Sequence, residues 1–260
     1  MSANYENWVP KGMIYSLAAG AGALAAGAVC LGMFGSNQSA KALAALSGAG
    51  AVGMGAMAGW SVYAHGQFSY EGNRKLSKDI VEGTAEYVVL PEGGVGLDVG
   101  CGSGALTIAC AKRNPHGRMI GVDRWGSEYA SFSKALCEEN AVKEGATNTE
   151  FMRGNAIHLP FPDESFDCVT SNYVYHNITG KNKQTLLQQT LRVLKKGGTF
   201  AIHDIMSKSR YGDMAQFCQK LRDMGYESVE RIDTTNGMFM SRSEATTLFL
   251  AGSTLLVGKK

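Results

Sequence analysis

Two long stretches near the start of the chain carry no charged residue, Gly12–Phe34 and Ala42–Ala64. Between them lies a short polar turn, Gly35–Lys41 (GSNQSAK). At a helical rise of about 1.5 Å per residue, each run is long enough to cross a hydrocarbon core of about 30 Å. The pattern predicts a transmembrane helical hairpin over residues 12–64, after a tail at 1–11. A cleaved leader fits poorly, because a second span follows the first. Small residues recur at every fourth position, Ala19, Ala23 and Gly27 in the first run and Ala51, Gly55 and Gly59 in the second. That spacing predicts one packing face per helix, with Gly55 and Gly59 forming a GxxxG pair. Trp60 and Tyr63 near one end, and Trp8 and Tyr15 near the other, suit an interfacial belt. Two buried helices of a soluble protein, or a flexible Ala/Gly arm, share this composition.

From His65 the pattern changes. Residues 65–94 read as a linker with an amphipathic helix over Arg74–Val88, since Leu76, Ile80, Val81 and Thr84 recur at helical spacing. Pro91-Glu92-Gly93-Gly94 ends it. Residues 95–260 alternate short apolar runs with amphipathic ones. The runs predict strands at Val95–Val99, Arg118–Asp123, Glu150–Arg153, Phe166–Ser171, Thr199–Asp204, Glu227–Asp233 and Ser253–Val257. Helices are predicted at Ala105–Ala111, Ser127–Glu144, Lys183–Leu194, Tyr211–Met224 and near Ser243–Leu250. Such alternation specifies an α/β fold, a doubly wound, seven-stranded, mostly parallel sheet of the Rossmann-like kind.

Charge and cysteine usage narrow the function. The net charge is +2 with 18% charged residues, and no basic run marks a nucleic-acid partner. Cys30, Cys101, Cys110, Cys137, Cys168 and Cys218 form no CxxC pair, so neither a metal site nor a disulfide framework is indicated. They fit a reducing compartment. Lys11 precedes the hairpin and Arg74, Lys75 and Lys78 follow it, against Lys41 alone in the turn. The positive-inside rule then places both ends, and the α/β body, in the cytoplasm.

The chemistry concentrates in VGLDVGCGSG, residues 95–104. A strand ends in glycines at alternate positions, Gly100, Gly102 and Gly104, and a helix follows. This arrangement sets backbone N–H groups and a helix N-terminus against a ligand. A tight turn without a ligand is the plain alternative. Gly100-x-Gly102-x-x-Ala105 also satisfies the dinucleotide fingerprint. Asp98 argues for another ligand, since a carboxylate repels a pyrophosphate and attracts an ammonium.

The stretch resembles the first motif of class I S-adenosylmethionine (SAM)-dependent methyltransferases, an acidic residue followed by G-x-G-x-G. Leu191–Gly198 (LRVLKKGG) and Leu159–Asp167 (LPFPDESFD) are similar to the same family, most of all to its quinone-methylating enzymes. The resemblance implies that SAM is the cofactor and that the last strand enters antiparallel. It implies cofactor contacts from Asp98, Gly100, Cys101, Gly102 and Gly104. Asp123 would hold the ribose, with Arg124 beside it and Trp125 either on the adenine or in the core. Asn155 and Ala156 stand where the family has Gly-Asp-Ala, and the Asn155 amide oxygen still accepts a bond from the adenine amino group. Ser171 completes this set. Asn172, Tyr173, Tyr175 and His176, at the end of the fourth strand, are candidates to face the methyl group. His176 and His203 are candidate general bases or structural histidines, and Asp204 a candidate ligand for a substrate amine. The expected function is membrane-tethered methyl transfer to a small or lipid-like acceptor: a lipid, quinone or apolar thiol. A non-catalytic SAM- or nucleotide-binding module at the membrane, and an NAD(P)-binding protein, are the alternatives.

Overall fold

The computed structural model describes residues 2–126 and 131–260. The chain forms two compact units, 6–77 and 78–260 with 1–5.

The first unit is a pair of antiparallel helices, α1 (Lys11–Phe34) and α2 (Gln38–Phe68). The Asn37 side chain starts α2 by accepting from the Ala40 amide at 2.8 Å. α2 therefore begins in the predicted turn and runs past residue 64. The packing face is displaced from the predicted one. Met54 lies over Gly20, Leu24 meets the space above Gly50, where a Cβ would stand 3.1 Å from its Cδ1, and Ala28 faces Gly48. Ala19 and Ala23 are exposed, and a Cβ on Gly55 or Gly59 would meet nothing within 4 Å. The reason is steric. Glycine here serves as a hole for a larger side chain from the facing helix, so Leu24 and Met54 set the seam. Gly20→Leu should push the helices apart, while Gly55→Leu should not. Cross-linking of Leu24→Cys to Gly50→Cys checks this: most of the product should vanish in the first background and persist in the second.

The aromatic belt also needs correction. Asn7 Nδ2 donates to the His65 carbonyl at 2.9 Å, His65 Nδ1 pairs with the Val9 carbonyl at 2.7 Å, and the Trp8 and Phe68 rings lie 5.0 Å apart. Trp8 thus sits at the same, open end of the hairpin as Trp60 and Tyr63.

The second unit is the predicted sheet. Its strands are β1 (Val95–Val99), β2 (Arg118–Asp123), β3 (Thr149–Arg153), β4 (Phe166–Asn172), β5 (Leu194–Ile205), β6 (Ser228–Asp233) and β7 (Ser253–Lys259). They lie in the order β3-β2-β1-β4-β5-β7-β6, with β7 alone antiparallel. The helices are α3 (Leu76–Ala85), α4 (Ala105–Arg113), α5 (Lys134–Glu144), α6 (Lys183–Arg192), α7 (Lys208–Tyr211), α8 (Met214–Asp223) and α9 (Arg242–Thr247). Leu97, Val99, Val169, Phe200, Ile202 and Leu256 from the sheet bury against Leu187 and Leu191 of α6 and Phe217 and Leu221 of α8.

Three of the boundaries that differ from the pattern have a local cause. The helix predicted at 127–144 starts at Lys134, where Ser133 Oγ caps the Leu136 amide at 3.1 Å; residues 127–130 lie outside the described residues. The helix predicted over Tyr211–Met224 is two, because Gly212 turns the chain at φ +72° and Asp213 caps the Ala215 and Gln216 amides. β5 begins five residues early, and a bulge opposite Asp167 absorbs Lys195–Gly198.

The strand order reverses between β1, whose chain leaves toward β2, and β4, whose chain leaves toward β5. Ligands of open α/β sheets bind beyond the carboxyl ends at such a switch point. The glycine loop and residues 172–177 flank it.

Candidate cofactor and acceptor site

The three loop glycines all take left-handed backbone, φ +76° at Gly100, +56° at Gly102 and +84° at Gly104, which side-chain-bearing residues adopt at a cost. A Cβ on Gly100 would overlap the Val174 side chain, reaching 2.8 Å from Cγ1. The loop is fastened at Gly102. Its amide donates to Asp123 Oδ2 at 2.9 Å, and its carbonyl accepts from Trp125 Nε1 at 2.9 Å and from Cys137 Sγ at 3.1 Å. Trp125 is therefore folded over the loop, with its own amide on Asp123 Oδ1 at 2.8 Å. Gly104 caps α4 without a side-chain bond.

Asp98 lies beneath the loop rather than at its mouth. It is 1% exposed, and its oxygens accept from Thr107 Oγ1 at 2.7 Å and Thr170 Oγ1 at 2.9 Å. Burial pushes its carboxyl up to about 6, against the two hydroxyls that favour the charged form. Two other candidates are likewise internal. Cys101 is buried, its thiol pushed up by burial, and Ser171 Oγ donates to the Val99 carbonyl at 2.8 Å within the sheet. Arg124 is exposed beside Asp123. Asn155 is exposed, its amide oxygen accepting from the Ile157 amide at 2.9 Å, and Ala156 packs on the core.

The donor set discriminates between ligands. Asp98 and Asp123 place two carboxylates around the loop, close enough that the Asp123 charge helps raise Asp98. A pyrophosphate would be repelled by both. An ammonium and a ribose diol suit them, so the residues fit SAM rather than a dinucleotide.

On the acceptor side, β5 alternates. His203 and Asp204 project to opposite faces of the sheet. His203 is fully buried. Its Nδ1 bonds Asn172 Oδ1 at 2.9 Å and its Nε2 bonds Thr234 Oγ1 at 2.9 Å, while desolvation pulls it down to about 3. With both nitrogens engaged it is a structural histidine, not a base. Asp204 is fully buried too, and so does not meet a substrate amine. It accepts from the amides of Tyr175 (2.8 Å), His176 (3.2 Å) and Ile205 (2.7 Å), and His176 Nδ1 lies 2.6 Å from Oδ1. Tyr175 is core, its hydroxyl on Thr190 Oγ1 at 2.6 Å. Tyr173, at φ +54°, bonds Ser253 Oγ at 2.7 Å and lays its ring 4.7 Å from His203 and 5.9 Å from His176. Asn172, Tyr173 and His176 are thus the half-buried candidates left at this edge. Thr107, Thr170 and Val174 went unread in the sequence. The register pair Asp98–Thr170 explains one of them: a buried acid needs a hydroxyl on the neighbouring strand.

A seven-stranded sheet in this order, with a glycine loop and paired acids at its switch point, defines the class I SAM-dependent methyltransferase fold. Residues 97–202 match the family described as a methyltransferase domain. Among curated proteins, the chain is similar to a demethylmenaquinone methyltransferase of Geobacillus stearothermophilus, 32% identical over 50% of this chain and 51% of that one. It is also similar to an arsenite methyltransferase of Halobacterium salinarum, 36% identical over 50% of this chain and 32% of the other. The chain thus spans about half the length, or less, of these relatives. Among solved structures, the [4+2]-cyclase SpnF has a TM-score of 0.54 at 20% identity, covering 71% of this chain and 81% of that one. A putative O-methyltransferase from Nostoc punctiforme has a TM-score of 0.51 at 18% identity, covering 75% and 59%. These two share the fold.

Proposed function

We propose that the chain is a membrane-tethered SAM-dependent methyltransferase acting on a small, apolar acceptor. The observation that carries the reading is the loop of three left-handed glycines at the switch point, fastened to Asp123 and underlain by Asp98. The loop and the N-terminus of α4 would hold the amino-acid end of the cofactor, and Asp123 its ribose hydroxyls. Bound SAM supplies a methyl group on a positively charged sulfur. The chain's part is to align the acceptor with that carbon and to take up a proton where one is released.

For the tether, α1 and α2 have mean hydropathies of 1.9 and 1.4 over their most apolar windows, none of which is buried. Val29, Met33, Phe34, Leu46, Val52 and Met57 face outward. Both ends of the hairpin are read as cytoplasmic and Lys41 as external, which fits a cytosolic cofactor. Lys41→Cys should then react with an impermeant maleimide in intact cells. Reaction only after lysis would reverse the topology or deny insertion, and full-length chain in the soluble fraction overturns the tether without touching the methyltransferase reading.

Calorimetry with SAM tests the cofactor assignment, and labelled SAM with membrane extract tests the activity. Tight NADH binding without SAM binding overturns both. Asp123→Ala removes an acceptor shared by two amides and should weaken SAM by about 1–3 kcal/mol. Affinity equal to wild type would mean that the carboxylate does not reach the ribose.

A further inference from the structure

We infer that His176 takes a proton from the acceptor, that Asp204 holds it in the tautomer that can do so, and that the acceptor is a phenol-type hydroxyl rather than a thiol or arsenite. The inference rests on the methyltransferase reading and sharpens it.

The geometry begins with a carboxylate buried to zero exposure on β5. Three backbone amides, from Tyr175, His176 and Ile205, converge on Asp204 at 2.7–3.2 Å, so both of its oxygens serve as acceptors. The fourth neighbour is His176 Nδ1 at 2.6 Å. With both Asp204 oxygens already accepting from N–H groups, the short contact makes Nδ1 the donor and leaves the ring's lone pair on Nε2. Among the described residues Nε2 has no hydrogen-bond partner. The side chain is 14% exposed at the carboxyl edge, beyond the loop that meets Gly100 through Val174. His203, the neighbour of Asp204 on β5, has no nitrogen left to offer.

A base held this way matters for some acceptors and not for others. A thiol, with a reference pKa of about 8.5, supplies a few per cent of reactive thiolate by itself at neutral pH. A phenol, at about 10, supplies far less and gains from a base. Arsenic(III) is soft and seeks thiolates. Five of the six cysteines are buried, and the sixth, Cys30, is on α1. The step balances as follows. Nε2 takes the hydroxyl proton, the acceptor's freed electron pair forms the bond to the methyl carbon, and the carbon–sulfur pair stays on sulfur, which leaves as a neutral thioether. In a hydroquinone the same deprotonation pushes electron density onto the adjacent ring carbon, which bonds the methyl carbon and then releases its own hydrogen to water as a proton.

The groups that face His176 are Asp204 from β5, Tyr173 from the end of β4, Tyr211 from α7 beside Asp204, and His203 behind Tyr173. Burial holds both phenols well above their usual range, and His203 stays neutral down to about 3.

The test uses the full chain in detergent, labelled SAM, and three probe acceptors: 2-naphthol, a naphthohydroquinone and 1-butanethiol. Wild type should methylate one or both hydroxyl probes. His176→Gln should lower kcat by about 10²–10⁴-fold with KM and SAM affinity unchanged. Activity should recover as the pH rises and the acceptor ionises itself. Independently of turnover, ¹⁵N NMR of the free protein should show His176 protonated at Nδ1, and Asp204→Asn should shift that tautomer. A kcat within a few-fold of wild type, a proton on Nε2, or transfer to the thiol alone or to no probe by a SAM-binding chain overturns the inference. Failure of wild type to bind SAM instead overturns the methyltransferase reading beneath it.

Discussion

Gly100→Ala should abolish measurable SAM binding while Gly55→Ala, in the hairpin unit, leaves it intact. Two costs fall on one added methyl. Alanine at φ +76° is disfavoured by about 1–2 kcal/mol. The same Cβ overlaps Val174, and forcing extra carbon into a packed contact typically costs about 1–3 kcal/mol more. The chain relieves that overlap by moving the loop or the segment after β4, and both flank the switch point. A fall in affinity of about 100-fold or more corresponds to the middle of this range, since 1.4 kcal/mol is tenfold. Trimming the obstacle separates the two costs: Gly100→Ala with Val174→Ala should regain part of the affinity and keep the backbone penalty. Calorimetry on the two single variants and the double variant decides it, and a double variant no better than Gly100→Ala alone would remove Val174 from the explanation. Gly102 offers a milder steric case, because a Cβ there stands 3.6 Å from the Phe132 ring, an ordinary contact, so a substitution at 102 acts mainly through its φ of +56°.

Asp98→Asn should make the protein more stable at neutral pH and a poorer SAM binder. The sign follows from the direction of the shift. The folded protein raises Asp98 from 3.8 to about 6, so it prefers the protonated acid more than the unfolded chain does. The resulting stabilisation is complete below about pH 3.8 and is lost as the pH rises through about 6. Above that, the buried charge costs about 3 kcal/mol as an order of magnitude, at about 1.4 kcal/mol per pKa unit. Asparagine keeps an oxygen for one threonine hydroxyl and removes the charge. Its melting temperature should exceed that of wild type at pH 8, and the gap should close toward pH 4. SAM affinity should fall because a cationic ligand loses the negative charge beneath its cradle. Equal stability at pH 8 would mean that the fold tolerates the charge without cost, and unchanged affinity would mean that it serves the fold alone.

The hydrophobic pattern was sufficient for the strands and for the two uncharged helices because each is set by a period, two in a strand and 3.6 in a helix. It failed where a single residue interrupts a period. Gly212 and Asp213 cut one predicted helix in two, and Ser133 delays the start of another. In the hairpin, spacing by four was read correctly on the wrong face, since small residues occupy several faces and the large partners, Leu24 and Met54, decide between them. The candidate site was legible as a set of positions along strand ends, but not as directions. Asp98, Ser171, Tyr175, His203 and Asp204 all stand at the carboxyl edge and all turn inward. Which of two adjacent residues faces the crevice depends on strand phase, and one residue of phase separates His203 from the group that supports His176.

The indole of Trp125 donates to the carbonyl of Gly102, so a fluorophore is bonded to the centre of the glycine loop. The other two tryptophans, Trp8 and Trp60, belong to the hairpin unit. With those two replaced by phenylalanine, emission from the chain would come from the loop itself. Indole emission responds to the polarity and hydrogen bonding of its ring nitrogen. Cofactor binding and loop rearrangement would then be readable as a colour change in real time, in detergent or in vesicles, before any acceptor has been found.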